Sequence, residues 1–515
     1  MLSAGVRGSG LTGSVRHGQT YPAVSPPRIT LAYLAPLLVS FIYSCEPSST
    51  PPAQPAMRAK GAIVVVIDAL RRDRLGVYGN RRGPSPNIDA LAAEGTRFDT
   101  ALTPAPWTLP AMASLWTSLY PSMHGALHWT NEALLAKKGK DLRPVSVLGE
   151  SYVTLAEILR SKGFATAAFI DGAYTGPVFG LSQGFDRIVE DELYGVRLNT
   201  EALLQWLSDS RPERFLAYLH VVEVHSPYGE PGVPNELRGR TDPEAKRVLA
   251  VLEEERRRFR QIDFDPAYAG SVDGAIATLR RLRAQGQVER RDLDHLLALY
   301  DRGIAYADIW IGALVAGLKK LGLYDQVVLV VTADHGEEFF DHGGFEHGDT
   351  FYDELLRIPL IIHVPGLGNG RTVDAQVSLL DVTPTLLDLL GVVHQEPLQG
   401  LSLRHAMAGE PFPDRVLFAE ANQGMRRVAM RTKKLKYMHD AYQAGRPQAF
   451  DLESDPTETK NLCQNGTEKC RVFAETIQDW QAEVRAASQG SPSAPPTAAI
   501  DERTRERLRA LGYDR

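Results

Sequence analysis

Four short stretches of this sequence carry side chains able to do chemistry. The first is Asp334-His335-Gly336-Glu337, which follows directly on the apolar run from Val327 to Thr332. A carboxylate and an imidazole delivered side by side by one strand end suit a divalent cation, and Gly336 permits close backbone approach. His342 and His347 follow in a loop rich in glycine and acid. The second stretch begins at Asp68, which closes the β-branched run Val64-Val65-Val66-Ile67 and opens an arginine-rich loop. Asp68 reads as a metal-ligand candidate or as a turn cap. The third is Pro106-Trp107-Thr108-Leu109-Pro110, which places Thr108 at the N-cap of a helix. Free backbone N–H groups and the helix dipole favour an oxyanion there. The Thr108 hydroxyl becomes a nucleophile once a cation or a base removes its proton. The fourth holds His220 and His225, after the apolar run that starts at Phe215. These offer a general acid or a donor to a substrate oxygen, with a core histidine as the plain alternative.

Positioning such groups takes a rigid sheet. The run 61–67 has the continuous β-branched character of a strand buried on both faces. Further strands are expected over 165–170, 215–220 and 326–332, and helices over 86–94, from 108 onward, over 154–162 and over 296–321. Strands alternating with helices imply an α/β domain with a largely parallel sheet, whose ligands bind at the carboxyl ends of the strands. Residues 231–291 break the pattern and read as an insertion, with the charge run 253–258 as a solvated helix face.

The chain has 515 residues, 43% of them hydrophobic, enough to bury a sizeable core. Its net charge of −6, from 57 basic and 63 acidic residues mixed along the chain, argues against a nucleic-acid partner. Arg28 precedes an apolar stretch over 29–43 that fits a secretory h-region and is too short for a membrane span. The stretch ends at Ser44-Cys45 and resembles a bacterial lipoprotein signal with Cys45 as the acylated residue. Residues 1–45 are therefore expected to be a leader and 46–60, rich in Pro, Ser and Ala, a flexible tether. The protein would be exported to the cell envelope or periplasm and held at the membrane through Cys45. Cys463 and Cys470 would close a small disulfide in an oxidising compartment, or stand as two thiols. No CxxC or Cys/His cluster supports structural zinc. The tail over 486–515 reads as loose.

Together these segments resemble the sulfatase family of the alkaline-phosphatase superfamily. The marks are Ile67-Asp68-Ala69-Leu70-Arg71, Pro86-Asn87-Ile88-Asp89, His225-Ser226-Pro227-Tyr228, Thr332-Ala333-Asp334-His335-Gly336-Glu337 and the closing stretch over 450–462. The resemblance implies an alkaline-phosphatase-like α/β catalytic domain over 61–400, its mostly parallel sheet flanked by helices. It also implies a smaller α+β C-terminal subdomain over 401–485 with an antiparallel sheet. The activity it implies is metal-dependent hydrolysis of sulfuric or phosphoric esters, from small molecules, glycans or lipids. Asp68, Asp334 and His335 would bind one divalent ion (calcium, magnesium, manganese or zinc), with Thr108 as nucleophile and fourth ligand. His225 would be a substrate donor or leaving-group acid, and His347 and His124 are weaker candidates. The chain departs from the family where a Cys-x-Pro-x-Arg pattern is converted to formylglycine. Here it reads Thr108-Leu109-Pro110-Ala111-Met112, so no formylglycine is expected. Ser114 lies too far into the helix and is expected to pack. The family's paired aspartates are reduced to Asp68-Ala69. A threonine here resembles the phosphoglycerol and phosphoethanolamine transferases, so a transferase and a non-catalytic homologue are the alternatives.

Overall fold

The computed structural model describes residues 59–487, apart from 82, 128–144, 172, 191–194, 227, 229–285, 287, 369, 422–426, 441–446 and 464–467, together with 497–498. The leader with Cys45, almost all of the tether, most of the insertion and most of the tail lie outside the described residues. The strands in chain order begin with β1 (Gly61–Ile67), β2 (Thr96–Leu102), β3 (Val145–Ser146), β4 (Ala165–Ile170), β5 (Arg187–Glu190), β6 (Phe215–Val221) and β7 (Val327–Thr332). There follow β8 (Glu338–Phe339), β9 (Phe345–Glu346), β10 (Arg357–Ile358), β11 (Leu360–His363) and β12 (Arg371–Ser378). The last four are β13 (Leu417–Glu420), β14 (Arg427–Arg431), β15 (Leu435–Asp440) and β16 (Gln448–Asp451).

The central sheet runs β10-β2-β11-β7-β1-β6-β4-β5, with β12 alongside β2. Its middle is parallel: β1 pairs with β6 and β7, and β4 pairs with β5 and β6, all in the same direction. Every residue of β1 is buried, as a strand covered on both faces by helices requires. β11, between β7 and β2, and β10, at the edge beside β2, run antiparallel to their neighbours. The sheet is flanked by α1 (Pro86–Glu94), α2 (Thr108–Thr117), α3 (Leu155–Ser161), α4 (Gly195–Ser210) and α5 (Arg290–Lys320). Pro86 starts α1, and the Asp308 carboxylate of α5 accepts the Asn87 and Ile88 amides at 3.1 and 2.8 Å, capping one helix from the side of another. Thr154 caps α3 with a reciprocal Glu157 contact. α5 begins six residues before its expected start at 296 because its first turn, Arg290-Arg291-Asp292, is charged and shows no apolar period.

A second sheet, β13-β14-β15-β16, is antiparallel and is covered by α6 (Glu468–Ala487). Trp480 of α6 stacks on Phe418 at 4.2 Å and meets Tyr120 edge-on at 5.4 Å, joining this sheet to the end of α2. A disulfide joins Cys463 to Cys470 in the first turn of α6. In the tail, Thr497–Ala498 pairs with β3. No helix among the described residues is long and apolar enough to cross a membrane.

Charged groups tie the second sheet to the first. The fully buried Lys436 ammonium lies 2.9 Å from Asp353 and 2.7 Å from Glu458, and Arg431 donates to both Asp353 oxygens. Beside them, His342 is stacked on Tyr352 at 3.6 Å between two acceptors, Glu354 Oε1 at 2.6 Å and the Thr457 carbonyl at 2.9 Å. Two acceptors require two ring protons, so this imidazole is charged. Partial burial works against the charge, yet Glu354 outweighs it and lifts His342 to about 9. A pKa raised on folding gives stability that is complete below the ordinary value of 6.5 and is lost as pH rises through 9. The melting-temperature advantage of the wild type over His342→Gln is therefore expected to be larger at about pH 7 than at about pH 10. A gap that stays constant across that range would contradict the charged-imidazole assignment.

Candidate active site

Three adjacent parallel strands deliver three polar side chains to one point. Asp68 follows the last residue of β1, His220 lies near the end of β6 opposite Val66 of β1, and Asp334 lies two residues beyond β7. One ligand atom from each lies within 4.8 Å of the others. His220 sits within the strand, not after it, and its neighbours are the carboxylates. Sequence reading took it as half of a pair with His225. The signal available was a polar residue at the carboxyl end of an otherwise apolar strand, where a buried imidazole needs a partner.

The backbone around Asp68 is held under strain. Ala69 has a positive φ of 57°, a conformation unfavourable for a residue with a Cβ. Its N–H donates to Asp334 Oδ1 at 3.1 Å, and its carbonyl accepts the Tyr300 hydroxyl of α5 at 2.5 Å. The same Tyr300 oxygen accepts the Arg71 amide at 2.7 Å, so one phenol clamps both sides of the turn. Gly336 allows the Asp334 loop to close: a Cβ there would stand 1.9 Å from the Glu354 carbonyl.

These residues fit a divalent cation. Asp68 is 4% exposed, and His220 and Asp334 are fully buried. Among the described residues Asp68 Oδ1, Asp334 Oδ2 and both His220 nitrogens have no hydrogen-bond partner. Asp334 spends its other oxygen on the Ala69 and His335 amides. Burial, and then the neighbouring Asp334 charge, hold the Asp68 carboxyl well above its usual range. Burial also lowers His220 to about 4, keeping the imidazole neutral as a ligand must be. Two buried carboxylates with bare lone pairs and a neutral imidazole form a donor set that a cation completes.

His335 and Thr108 adjoin this group. His335 Nδ1 lies 2.8 Å from the Gly336 carbonyl, which fixes the ring proton on Nδ1 and leaves Nε2 as the donor nitrogen. That Nε2 stands 3.2 Å from Thr108 Oγ1, 3.3 Å from Asp334 Oδ2 and 3.5 Å from Asp68 Oδ1. Thr108 is the first residue of α2 and not its cap. The cap position belongs to Trp107, which makes no side-chain cap bond. The anion argument survives the shift, because the amides of the first turn still lack intrahelical partners. All ten residues of α2 are buried, so the nucleophile candidate stands on a helix packed on every face.

The structure also brings His225 and His347 here. Their rings lie 5.0 Å apart, and His347 lies 4.3 Å from His335. His347 Nδ1 is 2.8 Å from Oε1 of the fully buried Glu337, a positioning contact that sequence reading did not anticipate. Burial lowers His225 to about 4, and its Nδ1 faces the Ser226 carbonyl at 2.5 Å. His124 does not join the cluster. Its Nε2 meets Ser114 Oγ at 3.0 Å, its Nδ1 accepts the Ala126 amide, and burial lowers it to about 3. Ser114 thus packs as expected. His342 is likewise outside the cluster, in the contact with Glu354 described above.

Known proteins share this sequence pattern and fold. Residues 61–392, more than half of the chain, match the family model described as Sulfatase. The chain belongs to the sulfatase family. Residues 340–484 match the model described as N-sulphoglucosamine sulphohydrolase, C-terminal. Among curated sulfatase relatives, Arylsulfatase K of Bos taurus is 24% identical over 455 residues, covering 78% of each chain. The Delta 4,5-hexuronate-2-O-sulfatase of Bacteroides thetaiotaomicron is 23% identical over 438 residues, covering 80% of this chain and 86% of its own. Among solved structures, the phosphonate monoester hydrolase of Agrobacterium radiobacter superposes with a TM-score of 0.60 at 20% identity, covering 84% of this chain and 96% of its own. A 2-O GAG sulfatase does so with a TM-score of 0.61 at 19% identity, covering 87% and 96%. This sulfatase-family chain is thus a sulfatase-like ester hydrolase with the family's mixed α/β architecture.

The cation fit has a two-signed test in thermal unfolding. A divalent cation at a hundredfold excess over Kd is expected to stabilise the wild type by about 3 kcal/mol and to have no effect on Asp334→Asn or His220→Ala. Without cation, Asp334→Asn should melt above the wild type, since it removes the like charge beside Asp68. A metal-free Asp334→Asn protein that melts lower would contradict the reading.

Proposed function

We propose that the protein hydrolyses a sulfuric or phosphoric ester by direct attack of Thr108 Oγ, at a centre where Asp68, His220, Asp334 and His335 hold one divalent cation. The observation that carries this reading is the 3.2 Å contact between Thr108 Oγ1 and His335 Nε2, itself against the two partner-poor carboxylates. When bound, the cation would lower the pKa of the threonine hydroxyl and offset charge on the ester oxygens. Thr108 Oγ, its proton released to solvent, forms a bond to sulfur or phosphorus while the bond from that atom to the substrate's alcohol oxygen breaks. The departing alcohol takes its proton from His225 Nε2, once that nitrogen has been protonated beside the bound anion. His347, oriented through Nδ1 by Glu337, presents its other nitrogen to the water that cleaves the threonine ester. Sulfate or phosphate leaves and the hydroxyl is restored.

The side chain at 108 supports direct attack. Oxidation of a threonine hydroxyl carbon gives a ketone, not the aldehyde of a formylglycine, and the arginine of the family's pattern is replaced by Met112. The Cys463–Cys470 bridge supports export to an oxidising compartment, with residues 1–45 as leader and Cys45 as lipid attachment point. The two sheets support a division into a catalytic domain over 61–400 and a C-terminal subdomain over 401–485. The relative named a Delta 4,5-hexuronate-2-O-sulfatase supports a small-molecule or glycan ester as the substrate.

Thr108→Ala is expected to remove turnover of aryl sulfates and phosphate esters by about 10³-fold or more with the fold intact, while Thr108→Ser retains a substantial part of it. Steady-state kinetics with circular dichroism on both variants decides. Wild-type rates in Thr108→Ala would overturn the nucleophile assignment.

A further inference from the structure

The turn after Asp68 and the C-terminal loop over 456–459 enclose a cavity of about 460 Å³. It lies along the same edge of the sheet as the candidate active site. Arg72 on its wall follows Asp68 by four residues, and Arg357 precedes β11, whose Leu360 pairs with Thr332 at the end of β7. Arg71 forms the partition between cavity and cluster. Its Nη1 donates to the Glu337 carbonyl at 3.1 Å and to Asp341 at 2.8 Å.

The acids of this cavity already have cations. Asp73 and Asp341 both accept from Arg71, Glu354 holds His342, Asp353 holds Arg431 and Lys436, and Glu458 holds Lys436. The two arginines are left over. The Arg72 side chain is 17% exposed, and its guanidinium makes no hydrogen bond among the described residues. Its nearest carboxylate, Asp99, is 3.7 Å away and stands 3.1 Å from Arg97. What supports Arg72 is the face of Tyr78, 4.4 Å from its guanidinium carbon. Arg357 forms no ion pair among the described residues and donates to uncharged acceptors, the Asp99 carbonyl at 2.8 Å and Thr100 Oγ1 at 3.2 Å. Burial and the like charge of Arg357 push Arg72 down to about 10.

A guanidinium mostly withdrawn from water without acceptors is costly. An oxyanion set against it supplies both the opposite charge and the acceptor geometry of a planar fork. We propose that this cavity binds a sulfate, phosphate or carboxylate group between Arg72 and Arg357, as an anion site separate from the Thr108 cluster. The occupant is a free anion, such as a released product, or a second acidic group of the substrate.

Calorimetric titration of the full chain with inorganic sulfate, and separately with inorganic phosphate, tests the site without relying on turnover. Without added divalent cation, binding is expected to persist in Thr108→Ala and to weaken about tenfold or more in Arg72→Gln, with Arg72→Lys between. Melting temperatures report that each variant is folded. Equal affinity in the wild type and Arg72→Gln, or no binding to the wild type, overturns the proposal. Given that binding, kinetics identify the source of the anion. Arg72→Gln lowers kcat/KM for an ester bearing a second sulfate or carboxylate, relative to a simple aryl ester, if the cavity takes the substrate's own group. It leaves that ratio unchanged if the cavity takes a free anion.

Discussion

Two carboxylates, Asp68 and Asp334, are buried side by side at the ends of adjacent strands, and most of the local structure answers to that fact. Two like charges within 4.8 Å of each other repel, on top of the cost of taking each from water. Folding meets this with fixed dipoles where it can. Asp334 Oδ1 accepts two backbone amides, one of them from Ala69, which reaches it by adopting a positive φ. Tyr300 secures that strained turn from α5, and Gly336 lets the opposite loop pack against Glu354. Asp68 Oδ1 and Asp334 Oδ2 have no hydrogen-bond partner among the described residues, and His220 and His335 turn ring nitrogens toward the two carboxylates. A cation at this centre would offset the charge that these dipoles leave uncompensated, and the strained Ala69 turn fits a site where local strain serves function.

Much of this was legible in the sequence. The runs that became β1, β4, β6 and β7 are short and mostly apolar, β1 and β7 being β-branched as well, and the site residues Asp68 and Asp334 stand where these two runs stop. The Thr108 helix was legible from Pro110 and starts at 108 as expected, though the cap assignment was off by one residue, because cap geometry depends on the φ and ψ of Trp107 and not on residue type. What sequence could not supply was distance. His342 and His347 lie five positions apart in one loop, yet the hairpin of β8 and β9 separates them, sending one to Glu354 and the other to Glu337. His124 and His220 were equally ambiguous as buried histidines. One meets a serine and an amide, the other two carboxylates, and only long-range pairing tells them apart.

The same edge of the sheet carries charge outward from the centre. Arg71 connects Glu337, which orients His347, to Asp341, and beyond it lie the Arg72 cavity and the Lys436–Asp353–Glu458 group that holds the second sheet in place. The loop that follows the C-terminal sheet is therefore part of the setting of the site, since its Thr457 and Glu458 wall the cavity next to it.

The central claim is that Thr108 itself, unmodified, takes the transferred group. Protein quenched in acid during turnover of a slow sulfate or phosphate ester, then digested and analysed by mass spectrometry, addresses this directly. The account predicts one sulfo or phospho group on the peptide containing Thr108 and an unmodified threonine there in resting enzyme. A carbonyl at position 108 that reacts with a hydrazide, or a trapped group on any other residue, would contradict it.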